Sequence, residues 1–496
     1  MSAIWLLLAI AAPMIAAAGA IPFLGRHRVQ VTAGVAGSLV QTVAAVMLLR
    51  QVAGGRFVVI QAGDWPAPFG ISLVADQFAA LVLVAGAVAG LAAIAFAAMS
   101  VEVDRSRHGY FVFTNVLLAA VATAFLTGDL FNLYVAFEVM LIASFVLLSL
   151  GQSRRQARGA AVYVTLNLIA SAMFLTGAGL AYALTGTLNF ADLAERVPQI
   201  ESHALSLALA LLLLTAFITK SAAFPFAAWL PASYHTPGTD VSALFSGLLT
   251  KVGVYAVART VTLLFPDNEV VRNTVLAVAG LTMVVGVLGA LAQYELRRLL
   301  AFHISSQVGY MLMGIGLMSP LALAGATFYM MQHMVTKTSL FLTAGFIERG
   351  AGTGRLARLG GLYRRDPAAA AVFLVAAFAL AGIPPLAGFV AKFTLARAGI
   401  EAEAWLIVGV SLTVSLLTLL SMVKIWTEAF WKDEPAEFAW NAPARRFLLP
   451  AAGLALVSAG MGILGAPLVQ MAIEAGNALA TPAVYIDAVL GSGGGR

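Results

Sequence analysis

The sequence predicts an all-α polytopic membrane protein with about fourteen transmembrane helices. Of its 496 residues, 61% are hydrophobic and only 10% are charged, which is far from the composition of soluble proteins. Apolar runs of about 20 residues recur along the chain, and the connections between them alternate in charge. The chain has no cysteine, so disulfides, thiolate metal sites and cysteine catalysis are excluded.

The apolar runs define the elements in order. Several are dense in glycine and alanine, as is typical of closely packed membrane helices. The predicted spans one to fourteen are centred near Ala11, Val40, Ala87, Ala119, Ile142, Ala172, Thr215, Leu248, Val284, Met311, Leu340, Ala381, Leu416 and Leu456.

The charge of the connections predicts how the chain is oriented. The connections after spans one, three, five, nine and eleven are basic, whereas those between them are neutral or acidic. The basic segments are 26–28, 104–107, 154–158, 297–298 and 349–365. The positive-inside rule then places these segments in the cytoplasm and both termini outside, for a multi-pass protein of the cytoplasmic (inner) membrane. Because the basic residues set orientation, they do not indicate nucleic-acid binding.

Two predicted spans contain a proline break. Pro225, Pro231 and Pro237 cannot all lie in one unbroken helix around span seven. We expect a helix ending near Phe224, a second piece through Trp229, a turn at 236–238 and a return helix from Asp240. Span twelve is interrupted at 381–388, which contains Pro384 and Pro385. Broken helices are tolerated in a membrane only when they are buried in protein or line a water-filled cavity.

The two breaks indicate an internal repeat. They are five spans apart, so the two broken helices enter the membrane from opposite sides, which is typical of inverted repeats. We therefore divide the chain into spans one to three (1–105), a first five-helix repeat (106–265), a second inverted repeat (266–430) and a final segment with span fourteen and the tail (431–496).

Ionisable residues within apolar spans are the candidate functional groups. Each costs roughly 2.5–3.5 kcal/mol on insertion scales, so a functional role is the default hypothesis. The candidates for a proton relay are Glu138, Lys220, Lys251, His333, Lys337 and Lys392. Glu138 has no neutralising neighbour in sequence, and we expect Lys220 to be its partner. Opening and closing one such ion pair would switch proton affinity.

Structural roles compete with the relay for several residues. Lys424, and to a lesser degree Lys337, could extend to the membrane interface. His333 could be a helix-packing residue, and His303 is expected at the interface because it follows a basic connection. His235 lies in the turn after the broken helix, where it could serve as a proton-entry residue or simply occupy the turn. Asp129 is expected to be an N-cap.

Three stretches carry a resemblance to a known family. They are DLFNLYVAFE at 129–138, the segment 220–255 with FPFAAWLP and VSALFSGLLTKVGVY, and LAGIPPLAGFVAKF at 380–393. The chain resembles the antiporter-like subunits shared by Mrp cation/proton antiporters, membrane-bound hydrogenases and respiratory complex I, over roughly residues 75–430. LLTKVGVYA and TKTSLF are most similar to the D-type branch of the Mrp antiporter subunits.

The resemblance implies fourteen spans with two inverted five-helix repeats. It also implies residue roles: Glu138 and Lys220 as a coupling pair, Lys251 as the central relay and Lys392 at the end of the outer half-channel. Complex I relatives often have a histidine in the tenth span, where this chain has Gln307. Proton transfer past Gln307 would need water, nearby serines or His333.

These observations together predict a proton-translocating subunit of a multisubunit Na⁺/H⁺ antiporter. It would be a transporter subunit and not an enzyme, with other membrane subunits as partners, sodium handled elsewhere in the complex and no cofactor. No metal-ligand spacing, phosphate-binding loop or nucleophile–base motif stands out. Two alternatives remain: a pump subunit of a redox-driven complex, and a stand-alone secondary transporter.

Overall fold

The computed structural model describes residues 3–151, 153–436 and 438–491, and helices dominate it. The helices of the first half are α1 (Ile4–Ala20), α2 (His27–Val52), α3 (Gln77–Ser100), α4 (Val103–Arg107), α5 (Tyr110–Leu126), α6 (Leu130–Ser149), α7 (Arg154–Thr185), α8 (Phe190–Arg196), α9 (His203–Lys220), α10 (Trp229–Ser233) and α11 (Thr239–Leu264).

The second half continues in the same way. Its helices are α12 (Glu269–Leu291), α13 (Leu296–Leu317), α14 (Pro320–Ala351), α15 (Leu362–Arg365), α16 (Pro367–Ala381), α17 (Ala387–Glu401), α18 (Trp405–Ile425), α19 (Leu449–Ile463), α20 (Ala466–Leu479) and α21 (Pro482–Leu490). Short 3₁₀ turns lie at Ile21–Phe23, Ala62–Asp64, Val197–Gln199, Leu356–Arg358 and Arg445–Phe447, and a π-helical turn extends α18 through Trp426–Trp431.

All fourteen predicted span centres lie in helices. Within the described residues, ten helices are long and apolar enough to cross a membrane, or up to eleven if α19 and α20, bent by 75°, form one span. Helices α5 and α16 are apolar but shorter. The all-α multi-pass class is therefore confirmed, while the count of fourteen and the inverted repeats remain predictions. The bend between α19 and α20 was not predicted.

A small hairpin lies between α2 and α3 and was also not predicted. Strands β1 (Val58–Gln61) and β2 (Ser72–Ala75) pair antiparallel. Ser72 joins this connection to two others: its carbonyl accepts from the Gly128 N–H at 2.8 Å, and its hydroxyl accepts from the Asn189 side chain at 2.9 Å. Connections two, four and six therefore meet at one face of the bundle.

Four of the five basic connections meet connection seven at the other face. Four contacts join connections three, five, seven, nine and eleven in a chain. They are Arg105–Asp240 at 3.2 Å, Arg155–Glu295 at 2.8 Å, Arg297 to the Pro237 carbonyl at 2.6 Å, and the backbone bridge between Glu295 and Arg355. This arrangement agrees with the predicted alternation of the chain, and which face is cytoplasmic stays a prediction.

The first break differs in detail from the prediction. Helix α9 ends at Lys220, four residues before Phe224, and the short α10 begins at Trp229 where it was predicted to end. Since a residue that precedes proline disfavours the helical conformation, Phe224 cannot continue the helix. Ala222 already leaves it, with φ at +55°. The return helix α11 begins one residue before its predicted start.

The second break lies where it was predicted. Helix α16 ends at Ala381, Gly382 follows with φ at +90°, and α17 begins at Ala387. A glycine in the left-handed conformation is the common way to end a helix. Both predicted breaks are therefore confirmed as interruptions between two helical pieces.

Helix α11 lies at the centre of the bundle. It is buried from Asp240 through Leu264 and packs against α14, which is itself largely buried. Gly253 allows α11 to pass the first break closely, because a Cβ there would lie 2.6 Å from Ser221 Oγ and 2.9 Å from the Lys220 carbonyl carbon. The two most buried helices thus carry the central candidate residues.

A buried ion pair closes the face opposite the basic connections. Arg259 of α11 lies 2.6 Å from the carboxylate of Asp76, which caps α3. Its guanidinium lies 5.1–5.2 Å from the ring centres of Phe78, Tyr255 and Tyr485. Tyr485 belongs to α21, so the last described helix packs onto a pair that joins the early and middle parts of the chain.

Candidate functional site

Lys220 lies at the carbonyl end of a broken helix. It is the last residue of α9, and its side chain is buried. Nζ donates to Ser171 Oγ of α7 at 2.9 Å and lies 4.8 Å from the centre of the Phe137 ring. A cation is favoured there because the unpaired carbonyls of a helix end carry partial negative charge.

The predicted pairing of Glu138 with Lys220 is not a direct ion pair in the structure. Lys220 donates to Ser171 instead, although the charge of Glu138 acts on it. Glu138 is half-buried on α6, and its buried Oε1 has no hydrogen-bond partner among the described residues. The hydroxyl of Ser171 on α7 holds the amine instead, and the partnership of Glu138 with Lys220 stays a prediction.

Lys251 and Lys337 lie in the middle of the molecule, on α11 and α14. Both are fully buried. Lys251 Nζ donates to the Ser246 carbonyl, and Lys337 Nζ donates to the Leu300 carbonyl at 3.0 Å. The structure therefore places Lys337 inside the bundle and not at the membrane interface.

His333 lies one helical turn from Lys337 on α14. It is fully buried, and neither ring nitrogen has a hydrogen-bond partner among the described residues. An imidazole with two free nitrogens, one helical turn from an amine, can accept a proton at one nitrogen and release one from the other.

Lys392 of α17 reaches back to the second break. Its Nζ donates to the Ala381 carbonyl at 2.9 Å and to Ser415 Oγ at 3.0 Å. Ala381 is the last residue of α16, so the amine again lies at the carbonyl end of a broken helix. Each break therefore has a buried lysine beside it that donates to a serine hydroxyl, although Lys220 precedes its break and Lys392 follows its own.

Three buried residues near this position were not predicted to belong to the site. His303 was expected at the interface but is fully buried, with Nε2 2.9 Å from Ser421 Oγ. Helix α13 begins at Leu296, so His303 lies about 10 Å inside it. Tyr310 and Tyr329 stack with ring centres 5.4 Å apart, and the Tyr310 ring lies 4.9 Å from Lys392 Nζ. Of these three, Tyr329 could have been found from the sequence, because it lies four residues before His333 on one helix.

Gln307 is held in place by these neighbours. The Tyr329 hydroxyl donates to Oε1 of Gln307. Nε2 of Gln307 lies 3.5 Å from the hydroxyls of Ser306 and Thr418. A carboxamide has no readily exchangeable protonation state near neutral pH, so Gln307 separates Lys392 from the central residues.

A polar cavity of about 590 Å³ opens on the basic face. Its walls include His235, Arg155, Glu295 and Arg297. Burial lowers the pKa of His235 to about 4, an effect that the charge of Glu295 partly opposes. The imidazole is therefore neutral at pH 7, and it can accept a hydrogen bond in this cavity but does not store a proton.

The N-cap interpretation of Asp129 is confirmed, whereas the extension of Lys424 to the membrane interface stays a prediction. Asp129 is the N-cap of α6 and accepts from the Asn132 N–H at 2.7 Å. Lys424 Nζ donates to the carbonyls of Leu291 and Gln293 at the end of α12 and lies 3.6 Å from the centre of the Tyr294 ring. Among the described residues, no group of three or more His, Cys, Asp and Glu side chains could hold a metal ion.

Comparisons with known proteins agree on one family. Residues 127–418 match the model of the "NADH:quinone oxidoreductase/Mrp antiporter, TM" family. The D subunit of the Na⁺/H⁺ antiporter of Alkalihalophilus pseudofirmus is 43% identical over 434 residues, which are 87% of this chain and 88% of the relative.

Solved structures show the same fold. A chain of the Mrp complex from Dietzia sp. DQ12-45-1b superposes with a TM-score of 0.93 at 32% identity, covering 99% of this chain and all of that one. A chain of the membrane-bound sulfane sulfur reductase, an archaeal respiratory membrane complex, superposes with a TM-score of 0.91 at 26% identity over 99% of this chain and 100% of that chain. The chain therefore belongs to the NADH:quinone oxidoreductase/Mrp antiporter family, in the branch of the Na⁺/H⁺ antiporter D subunits.

Proposed function

We propose that this chain moves protons as a subunit of a multisubunit Na⁺/H⁺ antiporter in the cytoplasmic membrane. Its partners are the other membrane subunits of that complex, and sodium is carried elsewhere in the assembly. The name of the antiporter relative from Alkalihalophilus pseudofirmus and the fold of the Mrp complex chain support this function. Both termini would lie outside, with the basic face in the cytoplasm.

The row of buried amines is the observation that carries the proposal. Lys220, Lys251, Lys337 and Lys392 all bind hydroxyl or carbonyl oxygens, and within the described chain none of the four forms an ion pair with a carboxylate. An amine held by neutral oxygens can gain or lose a proton without breaking an ion pair. Four such groups on four helices would make a relay across the two proposed repeats, 106–265 and 266–430.

Protons would enter from outside near Lys392. They would pass through Lys337 or His333 to Lys251, while Glu138 and Lys220 couple this movement to a neighbouring subunit. Each transfer moves one proton from an amine or imidazole to the next, so no cofactor is needed.

The surface of α6 supports the coupling role of Glu138. Phe131, Val135, Ile142 and Phe145 are all exposed and are spaced by four, seven and three residues, so they lie along one side of the helix. Glu138 falls within the same stripe, so a half-buried carboxylate interrupts an apolar face that points out of the bundle. Because an ionisable group facing lipid is costly, a neighbouring subunit is the favoured cover for this face.

The test replaces the coupling pair in the whole complex. Glu138→Ala and Lys220→Ala should each reduce sodium-dependent proton exchange in everted vesicles severely, with the complex still assembled. Glu195→Ala, at an exposed position of α8, is the matched control and should keep the wild-type rate. Wild-type exchange in both the Glu138 and the Lys220 variants would contradict the mechanism.

A redox-driven pump is the second candidate, because the archaeal respiratory chain superposes almost as well as the Mrp chain. Gentle purification from the native membrane distinguishes the two. Small membrane subunits and a larger paralogue, without flavin or iron–sulfur proteins, would support the antiporter. Soluble redox subunits in stoichiometric amount would assign the same amines to a redox-driven complex.

A further inference from the structure

Helix α18 presents a stripe of hydroxyl groups to the candidate site. Ser415, Thr418 and Ser421 are spaced by three residues, which places them on one face of the helix. Thr418 and Ser421 are fully buried, and Ser415 is half-buried. No sequence expectation had assigned these hydroxyls to the proton path. We call these three residues the hydroxyl stripe.

The hydroxyl stripe contacts the site at three successive levels. Ser415 Oγ accepts from Lys392 Nζ at 3.0 Å, at the second break. The Thr418 hydroxyl accepts from the amide nitrogen of Gln307 at 3.5 Å and donates to the Val414 carbonyl of its own helix at 2.8 Å, so it must turn away from that carbonyl to pass its proton on. Ser421 Oγ lies 2.9 Å from Nε2 of His303. The stripe therefore runs from the outer lysine, past the carboxamide that separates the relay, to a buried histidine.

His303 gives the far end of the hydroxyl stripe a proton acceptor. Its Nδ1 is buried and has no hydrogen-bond partner among the described residues, while its Nε2 is engaged by Ser421. Lys337 Nζ donates to the Leu300 carbonyl at 3.0 Å, and Leu300 lies three residues before His303 on α13. A buried imidazole with one nitrogen on a hydroxyl and the other free is suited to take a proton on one side and release it on the other.

We infer that the hydroxyl stripe is the route by which protons pass Gln307, joining Lys392 to His303 and then to Lys337. This inference rests on the proposed proton-translocating function and names the residues that complete it. A hydroxyl accepts one hydrogen bond and donates another, so it can take up a proton on one side while releasing its own on the other.

The proton balance of this route is simple. One proton leaves Lys392 Nζ, each hydroxyl takes one and gives one, and one proton reaches Nε2 of His303 as another leaves Nδ1 toward Lys337. Side chains three residues apart on a helix are about 5–6 Å apart at Cβ, a gap that one bridging water closes. No covalent bond other than those to the moving protons changes.

The same helix offers a matched control. Thr413 is exposed on another face of α18, and its hydroxyl donates to the Gly409 carbonyl of its own helix, at 2.9 Å. Thr418 makes the same kind of bond, to the Val414 carbonyl, so Thr413→Val controls for the loss of a hydroxyl-to-backbone bond in α18 without removing a hydroxyl of the stripe.

The experiment measures sodium-dependent proton exchange by the assembled complex in everted vesicles, in H₂O and in D₂O. Thr418→Val and Ser421→Ala should each lower the rate by about tenfold, the scale of one lost hydrogen bond, and raise the solvent isotope effect. Thr418→Ser and Ser421→Thr keep the hydroxyl and should stay near the wild-type rate, as should Thr413→Val.

The outcomes separate this inference from the function on which it rests. If Lys392→Ala slows exchange while Thr418→Val and Ser421→Ala both keep the wild-type rate and isotope effect, the stripe is not the route and the proposed function stands. Equal slowing in the hydroxyl-retaining and hydroxyl-free variants would also overturn it, since packing would then be the cause. If Lys392→Ala and Lys337→Ala both exchange at wild-type rates, the proposed function itself fails.

Discussion

Removing the hydroxyl that holds Lys220 tests whether this amine alternates between two positions. In the structure Lys220 Nζ donates to Ser171 Oγ at 2.9 Å, and the unpartnered Glu138 carboxylate is the competing acceptor. Ser171→Ala removes the first acceptor and leaves the second. A hydrogen bond to a charged group contributes about 1.5–3 kcal/mol, so the population held at α7 should fall by roughly ten- to hundredfold.

We expect exchange to slow because the coupling cycle needs Lys220 to return to α7. The assay is the initial rate of sodium-dependent proton exchange in everted vesicles, normalised to the amount of assembled complex. The Ser171→Ala variant should lose about tenfold or more in rate, the lower end of the population shift. Thr176→Val removes an exposed hydroxyl of the same helix that donates to its own helix backbone, and it should exchange normally.

Two results would refute this reasoning. Wild-type exchange by Ser171→Ala would show that the position of Lys220 at α7 has no part in the cycle. Equal slowing by Ser171→Ala and Ser171→Thr would show that packing at α7, and not the hydroxyl, controls the rate.

Three further predictions concern stability and pH. Lys251→Met should abolish exchange without lowering the melting temperature of the complex. Placing an amine inside the membrane costs roughly 2.5–3.5 kcal/mol, and a methionine side chain does not carry this cost. A large fall in melting temperature would contradict this prediction. Gly253→Ala should lower the free energy of unfolding by about 1–3 kcal/mol, because the new Cβ would lie 2.6 Å from a side-chain oxygen. Gly179→Ala is the control: no atom lies within 4 Å of its new carbon, so this variant should melt like the wild type. The pKa of His235 is about 4 in the folded protein and about 6.5 in the unfolded chain. Between these two pH values the unfolded chain therefore binds more protons than the folded protein, so the folded protein becomes less stable as the pH drops from about 6.5 to about 4. His235→Gln should reduce the loss of melting temperature between pH 7 and pH 5, and an unchanged loss would exclude this histidine as its source.

Features with a local cause were predictable from the sequence. Pro225 and the pair Pro384 and Pro385 lie in the middle of apolar runs, where proline removes a backbone hydrogen bond of a helix, so both breaks were found from the positions of the prolines. Lys251 was recognised as a candidate because a charged residue within a long apolar run is costly unless it has a function. The boundaries of the first break were less accurate because they depend on where Ala222 leaves the helix.

Features that depend on which helices meet could not be predicted in this way. The contact of Lys220 with Ser171 joins α9 to α7, and the contact of His303 with Ser421 joins α13 to α18. Each pair is more than 45 residues apart in sequence, 49 and 118 respectively, and neither helix signals its partner. His303 was assigned to the interface from its distance to a basic segment, but a helix that begins at Leu296 carries it into the core.

The packing of α21 on the Arg259–Asp76 pair bears on the order in which the protein matures. Arg259 and Tyr485 are 226 residues apart, so at about 5–20 residues per second synthesis separates them by roughly 10–45 s. During that interval the ion pair can form between the early and middle parts of the chain, but one of its three aromatic neighbours is missing. The aromatic surroundings of the Arg259 guanidinium are therefore complete only after α21 has been synthesised.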